Sequence, residues 1–232
     1  GSKGGLARFG GEAWEQLTAQ DGLASERALS LLEDEAGRIW MGTAVGISLY
    51  DGRTVQNLTK ADGPISDYVR ALVADGDGGY WLGGIEGLVY YRPQPASPRV
   101  QLLDVVGERR YGPVESLRLP TTGGYLAFEF YGRSFKTRPG ELVYRHRLLG
   151  LEEEWINGKE ERVEYFALPM GNYTFEVEAV DRDLGYSLEP LRVQVEIHFP
   201  YRQTALWISL SLGLGMLGLV MGRVYQRRQM RL

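Results

Sequence analysis

Between residues 171 and 199 the chain alternates. Tyr173, Phe175, Val177 and Ala179 stand at every second position, with Thr174, Glu176 and Glu178 between them. Leu191, Val193, Val195, Ile197 and Phe199 repeat the pattern, with Arg192, Gln194, Glu196 and His198 on the other side. A period of two with one apolar side predicts half-buried antiparallel strands. Weaker forms of the pattern lie at 100–106, 114–119, 125–131, 142–148 and 162–167.

The first 92 residues follow another rhythm. Short apolar runs at 28–33, 39–42, 46–50 and 55–58 are separated by glycine and aspartate, as hairpin turns require. The runs then return 41 residues later. Leu31 recurs as Leu72, Asp34 as Asp75, Trp40 as Trp81, Gly42 as Gly83, Gly46 as Gly87 and Tyr50 as Tyr91. Gly5-Leu6 and Leu17-Thr18 fall in the same phase as Gly46-Ile47 and Leu58-Thr59. Four short strands per repeat match a β-propeller blade. The chain holds about two and a third copies, so residues 1–92 predict a partial propeller. Pro93, Pro95 and Pro98 end the rhythm and make 93–98 a stiff linker. Residues 99–199, with about seven strands and no cysteine, predict an immunoglobulin- or fibronectin-III-like β-sandwich.

Residues 204–222 hold no charge and are mostly apolar. A helix of that length spans roughly 28 Å, the thickness of a bilayer core, so a single transmembrane helix is expected. Tyr201 and Trp207 sit at one boundary. Arg223, Arg227, Arg228 and Arg231 follow the other, which places 223–232 in the cytoplasm and 1–203 outside. Ser211, Gly215, Gly218 and Gly222 form one small-residue stripe, with Gly218 and Gly222 a GxxxG pair. Such a stripe suits a helix–helix contact between two copies.

Charge sharpens this division. The chain has a formal net charge of −4 and four arginines within 204–232, where no acid occurs, which leaves −8 on residues 1–203. An acidic body argues against a nucleic-acid partner. The absence of cysteine excludes disulfides and thiolate metal sites. Asp75-Gly76-Asp77-Gly78-Gly79 has the start of a calcium loop, but Ala36 replaces the second aspartate in the preceding repeat, and a hairpin turn explains both. His146 and His198 lack metal-ligand spacing. No nucleophile elbow, zinc-protease motif or phosphate loop is present, so no catalytic residue, cofactor or metal is expected. Trp40 and Trp81 recur at one place in the repeat, which favours blade packing over sugar stacking.

These residues carry a resemblance. Gly22-Leu23-Ala24-Ser25, Leu31-Leu32-Glu33-Asp34, Gly37-Arg38-Ile39-Trp40-Met41-Gly42-Thr43, Gly46-Ile47 and Tyr50-Asp51-Gly52 resemble the bacterial two-component regulator propeller repeat. Tyr144, Leu148-Leu149-Gly150-Leu151, Trp155, Tyr165, Leu168-Pro169 and Gly171-Asn172-Tyr173-Thr174-Phe175 resemble the three-tyrosine domain that follows such propellers. The resemblance implies the periplasmic sensor of a one-span inner-membrane receptor, as a homodimer. A histidine kinase feeding a phosphorelay usually follows the helix, and a diguanylate cyclase in other members. It implies a small-molecule or oligosaccharide ligand on propeller blades that this chain lacks. Tyr144, Tyr165 and Tyr173 would then be core residues and not a ligand site. Two rival readings are a membrane-anchored carbohydrate-active propeller enzyme and a structural or adhesive surface protein.

Overall fold

The computed structural model describes residues 4–9, 13–63, 65–121, 124–199, 211, 213–218, 221 and 223. The protein is all-β through residue 199. The described residues of 1–92 form nine strands: β1 (Leu6–Phe9), β2 (Trp14–Leu17), β3 (Ser30–Glu33), β4 (Ile39–Thr43), β5 (Gly46–Tyr50), β6 (Val55–Leu58), β7 (Val69–Ala74), β8 (Tyr80–Gly84) and β9 (Gly87–Tyr91). They build an opening hairpin β1-β2, a full blade β3-β4-β5-β6 and a last blade β7-β8-β9. The 41-residue period is kept in three dimensions. β1 and β2 map onto β5 and β6, and β4 and β5 map onto β8 and β9. Even the short 3-10 turns recur, at Ala19–Asp21 and Lys60–Asp62. Each is closed by a capping box, Thr18 with Asp21 and Thr59 with Asp62.

One expectation changes here. The last blade has three strands where four per repeat are predicted. The positions that would align with β6 read Ala96-Ser97-Pro98-Arg99. Proline removes ladder donors, and Arg99 already opens the next sheet.

The remaining strands are β10 (Arg99–Val106), β11 (Ser116–Pro120), β12 (Tyr125–Arg133), β13 (Val143–Leu149), β14 (Ile156–Gly158), β15 (Arg162–Phe166), β16 (Gly171–Val180) and β17 (Leu191–His198). They form two sheets, β10-β12-β15 and β11-β17-β16-β13-β14. The inner sides enclose Phe128, Phe130, Tyr144, Leu148, Phe175, Val177 and Val193, all buried. The alternation of β16 and β17 explains this core, because every second side chain enters it. Strand β11 lies parallel to β17, from Ser116 beside Gln194 to Pro120 beside His198, against the antiparallel expectation. Strand β14 has only three residues and gave no alternation to read.

The outer side of the five-stranded sheet is a charge ladder. Glu176 accepts from Arg147 at 2.8 Å and from Arg192 at 2.7 Å. Arg145 donates to Glu178 at 2.6 Å. Cross-strand pairs of opposite sign support the register that the apolar side sets. Trp155 lies over this ladder, with the guanidinium carbons of Arg147 and Arg145 at 4.5 and 5.0 Å from its ring.

Candidate functional site: the joint between repeats and sandwich

The three tyrosines singled out in the sequence lie in the sandwich. The hydroxyl of Tyr144 accepts from the Gly132 amide at 2.8 Å and donates to Glu161 at 3.0 Å. Its ring packs edge-on against Phe130. Gly132 suits this place because a Cβ there would meet the Tyr144 hydroxyl at 2.7 Å. Tyr165 donates to Glu152 at 3.3 Å and meets Phe128 and Phe175 edge-on. Tyr173 donates to the Pro169 carbonyl at 3.0 Å, four residues upstream. Burial pushes the Tyr144 and Tyr165 hydroxyls well above the ordinary tyrosine range, and their glutamate partners add to it. All three are buried and donate hydrogen bonds that close loops onto the core.

Trp40 and Trp81 occupy equivalent places with different surroundings. Trp40 is fully buried, stacks on Tyr80 of the last blade at 3.9 Å, and donates its indole N–H to Asp34 at 2.9 Å. Trp81 is 41% exposed and leans on Tyr90 of its own blade. Asp75 accepts from the amides of Asp77 and Gly79 at 2.8 Å each and from the Tyr90 hydroxyl at 2.6 Å. That is a side-chain-closed turn.

A densely bonded place lies elsewhere, at residues 181–186 between β16 and β17. Sequence reasoning passed over it. Asp181 turns this connection by accepting from the amides of Asp183 at 2.9 Å and Gly185 at 3.0 Å. Leu184 takes a left-handed φ of 59° at the tip and is buried. It enters the apolar cluster of Trp40, Ile47, Leu49, Tyr80 and Leu82, together with Val143 and Val180 of the sandwich. The repeats and the sandwich therefore share one core.

Polar contacts ring that core. Gln56 donates to the buried Val180 carbonyl at 2.8 Å. Tyr186 donates to Asp51 at 2.6 Å, with the Arg53 guanidinium 4.4 Å above its ring. Asn157 donates to the Arg53 carbonyl at 2.8 Å. Tyr91 donates to Asp183, which also accepts from the Gln94 amide at 3.2 Å. Asp62, the capping acid of the second 3-10 turn, accepts from Arg138 at 2.9 Å, and its carbonyl accepts from Arg182 at 3.1 Å. Lys136 is buried between two acids, 2.8 Å from Asp181 and 3.1 Å from Asp183. Its contact with Asp181 is a close, buried ion pair.

The charges at the joint differ in what burial does to them. For Asp62, burial favours the neutral acid, but Arg138 and the Thr59 donors outweigh it and hold the carboxyl below its ordinary range. For Asp181, burial wins over Lys136 and the turn amides, and the carboxyl is raised. Burial, then the bond to Asp183, pushes the Tyr91 hydroxyl far up. Tyr91 is thus a fixed neutral donor to an acid.

The expected membrane span 204–222 lies mostly outside the described residues, as do Gly222, Arg227, Arg228 and Arg231. Ser211, Gly215, Gly218 and Arg223 are helical. Among the described residues no helix is long and apolar enough to cross a membrane. His146 is half-buried and lies against Phe175, and burial lowers its pKa. His198 is exposed on its strand.

The family comparisons fall on the two parts that this joint unites. The Y_Y_Y domain model matches residues 136–198, and the two component regulator propeller model matches residues 22–44. The propeller match falls within the full blade, and the Y_Y_Y match falls within the sandwich and its edge. The Y_Y_Y match begins at Lys136 and includes every residue of the 181–186 connection. Solved structures resemble the chain at low identity. One is described as the extracellular domain of the hybrid two component system BT3049 from B. thetaiotaomicron, with 20% identity over 84% of this chain, 30% of that chain and a TM-score of 0.47. Another is described as the extracellular domain of the one component system BT4673 from the same organism, with 20% identity, 86% and 29% coverage and a TM-score of 0.41. The fibronectin(III)-like modules of Clostridium thermocellum CbhA match at 16% identity, 52% and 60% coverage and a TM-score of 0.34. The chain spans about 30% of the length of the first two structures. No curated protein matches.

Proposed function

We propose that this chain is the extracytoplasmic sensor region of a transmembrane receptor. A ligand held by propeller blades shifts the blades against the sandwich, and the sandwich passes the shift to one membrane helix at 204–222. The output lies beyond that helix, on the cytoplasmic side, and a histidine kinase is the output we propose. The carrying observation is the shared core at Leu184. A connection rooted in the last two sandwich strands reaches between two blades, and β17 ends at His198, just before the apolar segment. A push on the blades therefore has a path through the sandwich to the end of β17 at His198. The family models, one a regulator propeller and the other a Y_Y_Y domain, support the same reading. The stripe Ser211, Gly215, Gly218 and Gly222 would bring two such helices together in a homodimer.

The test is a chimera in a bacterial inner membrane. Residues 1–232 follow an export signal and precede the cytoplasmic half of a known histidine kinase. A phosphatase reporter before Gly1 should be active outside the cytoplasm. Tyr91→Phe and Leu184→Ala should each change basal kinase output at equal expression, and Gly218→Leu with Gly222→Leu should lower dimerisation. Kinase output indifferent to both joint variants would overturn the proposal.

A further inference from the structure

Two stretches of the sandwich carry no charged side chain. Residues 119–128 and 165–175 hold no Asp, Glu, Lys or Arg, in a chain that is 24% charged. Strand pairing brings both to the end of the sandwich where β17 stops. Pro120 lies beside His198, Gly171 beside Ile197, and Tyr125 beside Phe166. The Thr121 amide donates to the His198 carbonyl at 2.8 Å, and the Ala167 amide donates to the Gly124 carbonyl at 3.1 Å.

The connection between β15 and β16 is held in place while its large side chains face outward. Ala167 takes a left-handed φ of 51°, Leu168 packs on the core, and the Tyr173 hydroxyl holds the Pro169 carbonyl. Phe166 is nevertheless 70% exposed and Met170 61%, with Tyr125 and Phe199 at 40% each. Apolar area kept in water forgoes the stabilisation that burial gives. A cluster of it at one end of a domain marks a contact surface.

The same face turns polar away from this end. Tyr125 beside Phe166 is followed by Ala127 beside Glu164, then by Glu129 beside Arg162. The acidic run 152–154 also stands back, because β13 ends with Leu149 beside Thr174 and not beside Gly171. At 3.3 Å per residue that is a setback of roughly 10 Å. No basic cluster replaces it. Arg110 pairs with Asp104 and Glu129, and Glu108 and Arg109 are opposite in sign.

Resting on the reading of 204–222 as a membrane span, we propose that this end of the sandwich is a membrane-contact face. Phe166 and Met170 enter the boundary between headgroups and acyl chains, with Tyr125 and Phe199 at headgroup level. The partner is a neutral or zwitterionic lipid surface, because the face offers apolar area and no surplus of positive charge. The apolar segment begins at Thr204, six residues after His198. Six extended residues reach at most about 20 Å, so this end stays close to the bilayer. The contact adds a second anchor beside the span and fixes the tilt of the sandwich.

The chain has no cysteine, so single spin labels can be placed cleanly. Phe166→Cys, Met170→Cys, Leu188→Cys and Leu214→Cys are each labelled in the full chain in phosphatidylcholine bilayers. Depth is read from relaxation by oxygen against a water-soluble nickel chelate. Labels at 166 and 170 should lie within about 5–10 Å of the headgroup–acyl boundary. The label at Leu188, 87% exposed on the connection at the opposite end, should lie in water, and the label at Leu214 deep in the hydrocarbon. A deep label at 214 with 166 and 170 both in water would overturn this proposal and leave the span reading standing. A label at 214 in water would overturn the span reading and this proposal with it. Insertion at 166 and 170 that appears only with anionic lipid would also overturn it. So would spin–spin broadening at 170 in place of lipid exposure, since a second copy would then cover the face.

Discussion

Trp40, Ile47 and Leu49 of the full blade are fully buried, while Trp81, Leu88 and Tyr90, each 41 residues on, are 41%, 66% and 44% exposed. The turns of the two blades are nevertheless alike. Asp34 accepts from the amides of Ala36 and Arg38, and Asp75 accepts from those of Asp77 and Gly79. The difference lies in the second carboxylate oxygen. That of Asp34 accepts from Arg38, Trp40 and Tyr80, which ties two blades together. That of Asp75 accepts from Tyr90 of its own blade. A repeat thus fixes its own turns, but its neighbours decide how much each residue contributes to stability.

That contrast can be broken in a graded way, read by denaturant unfolding. Trp40→Ala should cost about 3–5 kcal/mol, because it empties a buried stacked site between blades. Trp81→Ala should cost about 1 kcal/mol or less, since the ring is already partly in water. Similar losses at the two positions would contradict the account. Asp34→Ala should cost about 2–3 kcal/mol, since it strands the Trp40 and Tyr80 donors in the interior. Asp75→Ala should cost clearly less. Gly46→Ala should cost about 2 kcal/mol or more, through a left-handed φ and a backbone clash with Leu58 together. Gly87→Ala should show the φ cost alone, about 1 kcal/mol.

Acid gives the smallest and most general test. Asp34 and Asp62 both sit below the ordinary aspartate value of 3.8 in the folded chain. In each, burial opposes ionisation and is outweighed, by Trp40, Arg38 and Tyr80 at Asp34 and by Arg138 and Thr59 at Asp62. A lowered folded pKa means the stabilisation is present above 3.8 and is lost as pH falls through the folded value. Stability should therefore decline below about pH 4. Asp34→Asn and Asp62→Asn should each flatten that decline, measured as unfolding midpoint against pH.

Much of the architecture was legible in the chain. The 41-residue period located the strands of both blades, and the alternation of β16 and β17 located the sandwich core. The recurrence of Trp40 marks it as a blade contact, and it stacks on Tyr80 of the next blade. The recurrence of Trp81 gave no hint of its exposure, because burial depends on a neighbour and not on the residue. The parallel pairing of β11 was also hidden, since parallel and antiparallel partners share a period of two. The joint was missed because Asp181-Arg182-Asp183-Leu184-Gly185-Tyr186 reads as an ordinary polar turn. Its one available signal was Leu184 and Tyr186, two large apolar side chains in a tight turn, which mark a turn that is covered.

The repeats and the sandwich share one core through that turn. Native-state hydrogen exchange tests this most directly, comparing amides of β5 and β16 in the chain and in Leu184→Ala. Amides in the two strands should share one opening free energy in the parent chain. Leu184→Ala should lower it by about 2–4 kcal/mol in β5 and leave β16 the more protected of the two. Independent opening of β5 and β16 in the parent, or no change in β5 on losing Leu184, would contradict a shared core.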